Sequence, residues 1–167
     1  IYPTLVMEGT RLHSLWLDGK YKALSTDEAT ELISEAHRTF PKWVRVARIQ
    51  RDVPAGMIID GVRYSNLREI VDARLKERGI RCRCIRCREV GLSRLRGKGD
   101  GPCQTTLIRE DYEAGGGIEI FLSYEDVVRE VLIGFLRLRI PSPRAERREV
   151  KGAGLVRELH IYGQQVA

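Results

Sequence analysis

The densest chemistry in the chain is the stretch RCRCIRCREVG, residues 81–91. It places Cys82, Cys84 and Cys87 within six positions, and Cys103, the last of the four cysteines, lies beyond a Gly/Lys/Arg-rich loop. Thiolates this close suit a tetrahedral metal, because zinc accepts four sulfur ligands at one centre. The spacing predicts Cys82, Cys84 and Cys87 as metal ligands, with Cys103 as the fourth. The intervening loop length is not diagnostic, and a water would serve in place of Cys103. Two other readings of the thiols stay open: inert, small apolar residues in a core, or a Cys-x-x-Cys redox pair. Arg81, Arg83, Arg86 and Arg88 stand between and around the cysteines. Guanidinium groups so placed offer positive charge and forked donors that match phosphate, whereas a charge run with no ligand is simply a solvated face.

The flanking segments must position these residues. Upstream, Ser25 and Glu28 have the spacing of a capping box, and Ala29, Leu32, Ile33, Ala36 and Phe40 recur at helical spacing before Pro41, which predicts a helix. Residues 43–49, WVRVARI, alternate apolar and basic side chains, which predicts a strand that shows Arg45 on its open face. A helix, then a strand, then QRDVPAG is the pattern of the last unit of an α/β sheet or barrel. In such folds chemistry gathers at the carboxyl ends of strands, here Ile49, Gln50, Arg51 and Asp52. Residues 1–7 read as a short strand or strand end. Ser65 is placed to cap a second helix in which Leu67, Ile70, Val71 and Leu75 share a face and Gly79 supplies the stop; Ile80 then opens an expected strand. Beyond Cys103, TTLIRED, GGIEIFLSYED, VLIGFLRLRI and GLVRELHIYG are four β-like runs separated by Gly, acidic or Pro-containing turns, a β-meander in which Arg137 and Arg139 point the same way. The fold class expected is α/β in the mixed α+β sense.

With 43% hydrophobic and 31% charged residues over 167 positions, the chain can bury a core and is not a disordered tail. A formal net charge of +6 favours a polyanionic partner such as nucleic acid. No apolar run approaches a membrane span. The opening IYPTLVMEGT has neither the charged n-region nor the long h-region of a signal peptide, and the expectation is an internal piece of a longer, cytoplasmic polypeptide with reduced thiols.

Four blocks, VRVARIQRDVPAG, RCRCIRCREVG, FLSYED followed by LIGFLRLR, and LVRELHIYGQ, closely resemble, in order, the catalytic subunit of Elongator, a family of tRNA wobble-uridine carboxymethylating enzymes. The resemblance implies three parts: residues 1–79 as the end of a radical S-adenosylmethionine (SAM) type α/β barrel, 80–103 as a cysteine-rich zinc-binding linker, and 104–167 as the first strands of a GNAT-like acetyltransferase sheet. It implies an acyltransferase that combines acetyl-CoA with radical SAM chemistry to form 5-carboxymethyluridine at uridine 34 of the tRNA anticodon. Zinc would be structural, held by Cys82, Cys84, Cys87 and Cys103. A [4Fe–4S] cluster, SAM and acetyl-CoA are implied for the parent enzyme.

By the same likeness Arg45, Arg48, Arg51, Arg81, Arg83, Arg86 and Arg88 are candidates for tRNA phosphate contact. Glu158, Leu159, His160, Ile161 and Tyr162 fall on the strand that in GNAT enzymes pairs with the pantetheine arm of acetyl-CoA. His160 is a candidate general base; a packed strand histidine is the alternative. No three-cysteine radical SAM motif precedes residue 80, and the pyrophosphate loop is expected beyond the last residue. The 167-residue chain alone is therefore expected to be catalytically inert, and carboxymethyl transfer by it would overturn that. Two other function classes remain: a non-enzymatic zinc-ribbon-like RNA-binding module, marked by tight RNA binding without flanking domains, and a protein lysine acetyltransferase, marked by preference for a basic peptide over tRNA. No residue argues for a particular oligomeric state.

Overall fold

A computed structural model describes residues 1–95, 104–145 and 147–162; Cys103 lies outside the described residues. The chain divides into two compact units, Ile1–Cys84 and Ile85–Ala167. The fold is mixed α+β, with one two-stranded and one four-stranded sheet.

In the first unit, β1 (Val6–Met7) pairs antiparallel with β2 (Ile58–Asp60). Of residues 1–7, read as a strand or strand end, Val6 and Met7 join a sheet. The apolar patch around Trp16 is a helix, α1 (Arg11–Leu17), started by Thr10, whose hydroxyl accepts from His13 N–H at 3.1 Å. Asp60 ties three segments together: its carboxylate accepts from Trp16 Nε1 at 2.9 Å and from the backbone N–H groups of Ala23 and Gly61 at 3.3 and 2.9 Å. Helix α2 (Thr26–Thr39) begins with the expected capping box. Glu28 N–H donates to Ser25 Oγ at 3.2 Å, and Ser25 N–H to the Glu28 carboxylate at 2.7 Å. The Ser25 backbone N–H, more than any other group, holds the Glu28 carboxyl down at about 2. A depressed carboxyl contributes stability above its ordinary pKa and loses it as pH falls through the folded value, so the box weakens progressively from pH 4.5 down to about 2. Ser25→Ala is expected to lower unfolding free energy by about 1 kcal/mol. A urea melt identical to that of the parent would remove the box from the energetics of the fold.

Helix α3 (Leu67–Glu77) buries Leu67, Val71 and Leu75. It starts at Asn66 rather than behind a Ser65 cap, and Asn66 makes no side-chain cap bond. Its C-terminus behaves as read: Gly79 takes φ +63°, and Ile80 N–H reaches back to Leu75 O at 2.8 Å, a closure that a Cβ would strain. Across α2 and α3, Glu31 and Glu35 face Arg74 and Arg78, with contacts of 3.0 and 3.2 Å for Glu31–Arg74 and Glu35–Arg78. The core of the unit gathers Val6, Val46, Ile49, Ile58 and Val62 beneath these helices.

Residues 43–49 do not form the predicted strand. Val46 and Ile49 are buried while Arg45, Ala47 and Arg48 are exposed, a three-residue step that breaks the period of two. The segment is held by side-chain burial and by backbone bonds to Ile1 instead of by a ladder. The strand expected from Ile80 is also absent. The chain there runs irregularly to Cys84 and then forms two short helices, α4 (Ile85–Arg88) and α5 (Val90–Leu95).

The second unit contains those helices and the predicted meander, β3 (Thr105–Ala114), β4 (Gly117–Asp126), β5 (Val131–Ile140) and β6 (Leu155–Ile161), all antiparallel and in sequence order. Register puts Phe121 opposite Glu110 and Arg137, and Glu119 opposite Tyr112 and Arg139. One face therefore carries Glu119, Phe121, Ser123, Phe135, Arg137 and Arg139. The other carries Ile118, Ile120, Leu122, Tyr124, Leu136 and Leu138. Arg137 and Arg139 do share a face, as expected. At Gly134 β6 comes close to β5: a Cβ there would meet His160 O at 2.9 Å. Among the described residues no helix is long and apolar enough to cross a membrane.

Candidate metal centre and arginine sites

The end of α3 and the start of α4 determine where the cysteines fall. Gly79 releases the chain from α3, and the next six positions bring Cys82 and Cys84 to the start of α4, with Ile85 fully buried. Cys87 sits three residues after Cys84, on α4, so the two side chains fall on neighbouring positions of one turn. The ligand atoms of Cys82, Cys84 and Cys87 all lie within 4.8 Å of one another; Cys84 is buried and the other two are half-buried. A tetrahedral site with metal–sulfur bonds of about 2.3 Å has sulfur–sulfur edges of about 3.8 Å, so three thiolates at this separation can hold one metal. Soft sulfur donors select zinc or iron–sulfur chemistry over hard cations.

The arginines separate into two groups. Arg81 and Arg83 are exposed and Arg86 is half-buried. Arg45 and Arg48 are exposed and, with Tyr2 and Phe40, border a concavity of about 500 Å³ in the first unit. Two others are engaged by the protein itself, half-buried Arg51 and buried Arg88. Arg51 donates to the backbone carbonyls of Arg63, at 2.9 Å, and Val53, bracing the loop between them. Arg88, expected on a phosphate-contacting surface, is 4% exposed. Its Nη1 lies 2.7 Å from Glu125 Oε2, and Ser123 Oγ donates to Glu125 Oε1 at 2.8 Å. The charge expected to face a polyanion thus faces a carboxylate of β4.

Strand β6 lies at the edge of its sheet. Glu158 bridges two groups there: its Oε2 is 2.9 Å from Arg137 Nε and its Oε1 is 3.1 Å from His160 Nε2. His160 is stacked between Phe135 and Tyr162, at centroid distances of 5.4 and 6.0 Å, and its side chain is 45% exposed. Arg137 lies over Phe121 and Phe135. Leu159 and Ile161 line, with Leu107, Tyr124, Gly134 and Leu136, a concavity of about 380 Å³.

Sequence reading missed Glu125, Ser123 and Arg137 as partners in these networks. Their signal was present: GIEIFLSYED places Glu119, Glu125 and Asp126 on a strand that otherwise reads apolar, and all three are buried. A buried carboxylate requires a cation or several donors. Glu119 receives Arg139 at 3.1 Å and Arg157 at 2.5 Å.

Residues 1–77 match the Radical_SAM C-terminal domain family. Over 168 aligned residues the chain is 51% identical to the tRNA uridine(34) acetyltransferase of Methanocaldococcus infernus, covering 100% of this chain and 32% of that protein. It is 52% identical to the protein of the same name from Methanocaldococcus jannaschii, covering 99% of this chain and 31% of that one. It is 47% identical to Elongator complex protein 3 of Homo sapiens, covering 99% and 30%. The solved structure of archaeal Methanocaldococcus infernus Elp3 with an N-terminal deletion matches with a TM-score of 0.92 at 51% identity, covering 100% of this chain and 39% of that one. The chain spans about a third of the length of these relatives. Throughout its length, therefore, it is a homologue of the tRNA uridine(34) acetyltransferases and Elongator complex protein 3.

Proposed function

We propose that the chain is part of a tRNA uridine(34) acetyltransferase, a cytoplasmic acyltransferase that uses acetyl-CoA and radical SAM chemistry to build 5-carboxymethyluridine at the wobble position. The observation that carries this is identity of 51% and 52%, over essentially the whole chain, to two archaeal proteins of that name. Within the parent, residues 1–79 belong to the radical SAM part, 80–103 to a metal-binding linker and 104–167 to the acetyltransferase part.

Zinc is the metal this donor set fits. Cys82, Cys84 and Cys87 give three sulfurs with C-x-C-x-x-C spacing, and Cys103 or a water gives the fourth ligand. The centre is structural, a clamp on a short segment that has little other core. The [4Fe–4S] cluster and SAM, which supply radical initiation when bound, are held by other parts of the parent polypeptide.

Acetyl-CoA supplies the acetyl group when bound. Toward it, the outer edge of β6 offers strand backbone N–H and C=O groups to the amides of an extended arm, and exposed Leu159 and Ile161 give apolar contact. Glu158, which also faces Arg137, lies 3.1 Å from His160 Nε2 and orients the imidazole. Tyr162, whose N–H donates to Ile133 O at 2.7 Å, closes the stack on His160.

Arg45, Arg48, Arg81, Arg83 and Arg86 bind tRNA phosphates; Arg51 and Arg88 brace the segments that present them. The test is tRNA binding by the chain across a salt series. Each Arg→Ala change among the five lowers the slope of log K against log[salt] by roughly 0.7–0.9 for every phosphate that is no longer neutralised, and Arg→Lys restores part of it. Slopes unchanged in all five variants, or competition won by a basic peptide over tRNA, would sink the reading.

A further inference from the structure

We infer that Arg88, Glu125 and Ser123 form a positioning latch for the metal ligand Cys87, so that affinity for the metal is set in part by a carboxylate on β4. The inference rests on the reading of Cys82, Cys84 and Cys87 as a metal site.

Helix α4 is only four residues long. A helix that short does not hold its own geometry, because nucleation is unfavourable and few intrahelical bonds repay it. Something else must fix where Cys87 points. Within the second unit, the described residues attach α4 to the sheet at these points. Ile85 is fully buried, residue 89 forms a parallel bridge with Leu132 of β5, and Arg88, the residue directly after Cys87, is paired with Glu125. The third acts through a long side chain: the Arg88 guanidinium is ion-paired with a carboxylate at 2.7 Å, both side chains at most 5% exposed. The other carboxylate oxygen is held by Ser123, which is completely buried. Rotation of α4 about its axis would break this contact, and the same rotation would carry the Cys87 sulfur away from Cys82 and Cys84.

Energetics supports a geometric role. A buried ion pair is a poor source of stability, since packed apolar residues of similar volume do as well or better. What it supplies is a single orientation. Outer-shell groups that orient metal ligands typically govern metal affinity by 10–100-fold, and here the orienting group acts through the adjacent residue of the chain.

The experiment is titration of the purified 167-residue chain with Co²⁺, read by thiolate-to-metal absorption and the tetrahedral d–d bands, followed by competition with Zn²⁺. Four variants are compared with the parent: Glu125→Gln, Arg88→Lys, the apolar double Arg88→Met/Glu125→Leu, and Arg109→Ala, which removes an exposed pair with Asp111 on β3. The parent binds one Co²⁺ with tetrahedral bands. Glu125→Gln weakens binding by roughly 10–100-fold, Arg88→Lys falls between that variant and the parent, and Arg109→Ala matches the parent. The double variant keeps the fold by circular dichroism yet binds as weakly as Glu125→Gln, which a merely structural pair would not do. Parent-like affinity in the double variant overturns the latch, whether or not Glu125→Gln folds. A parent that binds neither Co²⁺ nor Zn²⁺ overturns the metal reading, and the latch falls with it.

Discussion

Cys84→Ser is expected to strip the metal from the chain and to loosen the segment around it. The purified parent should carry about one zinc per chain, while the variant should carry none after dialysis. Structural zinc sites in small domains bind with about 10–16 kcal/mol, so each of four ligands would account for roughly 2.5–4 kcal/mol, a loss of about 60-fold to 10³ in affinity. Cys84 is the most telling of the proposed ligands to remove because it is fully buried. Its sulfur has no solvent to fall back on, and a serine hydroxyl there would be a desolvated polar group as well as a poorer ligand. Cys82→Ser and Cys87→Ser, at half-buried positions, should lose metal with a smaller structural penalty. Because the ligands bind as thiolates, affinity falls as pH is lowered and metal uptake releases protons; both are measurable in weakly buffered solution. Elemental analysis before and after chelation checks the prediction directly. Four titratable thiols and no metal in the parent would return the segment to a basic loop, and iron in place of zinc would show in the visible spectrum and replace the structural reading with cluster chemistry.

The parts of the fold legible in the sequence are those dictated by local rules. Ser25 and Glu28 announced α2 because the capping box is a reciprocal contact between residues three apart. Gly79 announced the end of α3 because a positive φ is inexpensive only for glycine. The four strands of the meander were legible because alternation and turn residues repeat four times over. Residues 43–49 misled for the opposite reason: WVRVARI alternates like a strand, but a strand needs a run of pairing with another backbone, and the bonds to Ile1 do not extend into a ladder among the described residues. The run after Gly79 misled similarly. RCRCIRCREV contains too little pattern to separate a strand from two short helices, and helices of four and six residues owe their existence to what they dock against. At the candidate site, the clustering of Cys82, Cys84 and Cys87 was legible because it is local. That Arg88 turns inward while Arg81 and Arg83 do not was hidden, since it depends on Glu125, a residue far along the chain whose position is set by β-sheet register.

That dependence leads to the second large effect. Glu125→Leu alone is expected to destabilise the chain by about 3–5 kcal/mol, because it removes the buried carboxylate paired with the Arg88 guanidinium. Adding Arg88→Met should recover most or all of this loss, since two apolar side chains of similar volume carry no desolvation penalty. The coupling between the two positions would then be several kcal/mol, well above the few tenths within which independent sites add. Urea unfolding followed by circular dichroism of the sheet measures each corner of the cycle, and an unchanged m-value shows that the compactness of the states has not altered. Additive losses would mean that the 2.7 Å pairing contributes no specific interaction. The expected pattern is a double variant that is stable but poor at holding metal. Stability and metal affinity would then separate at one pair of residues. That separation is intelligible only if the buried charges are there for the direction they impose on α4, not for the free energy they supply.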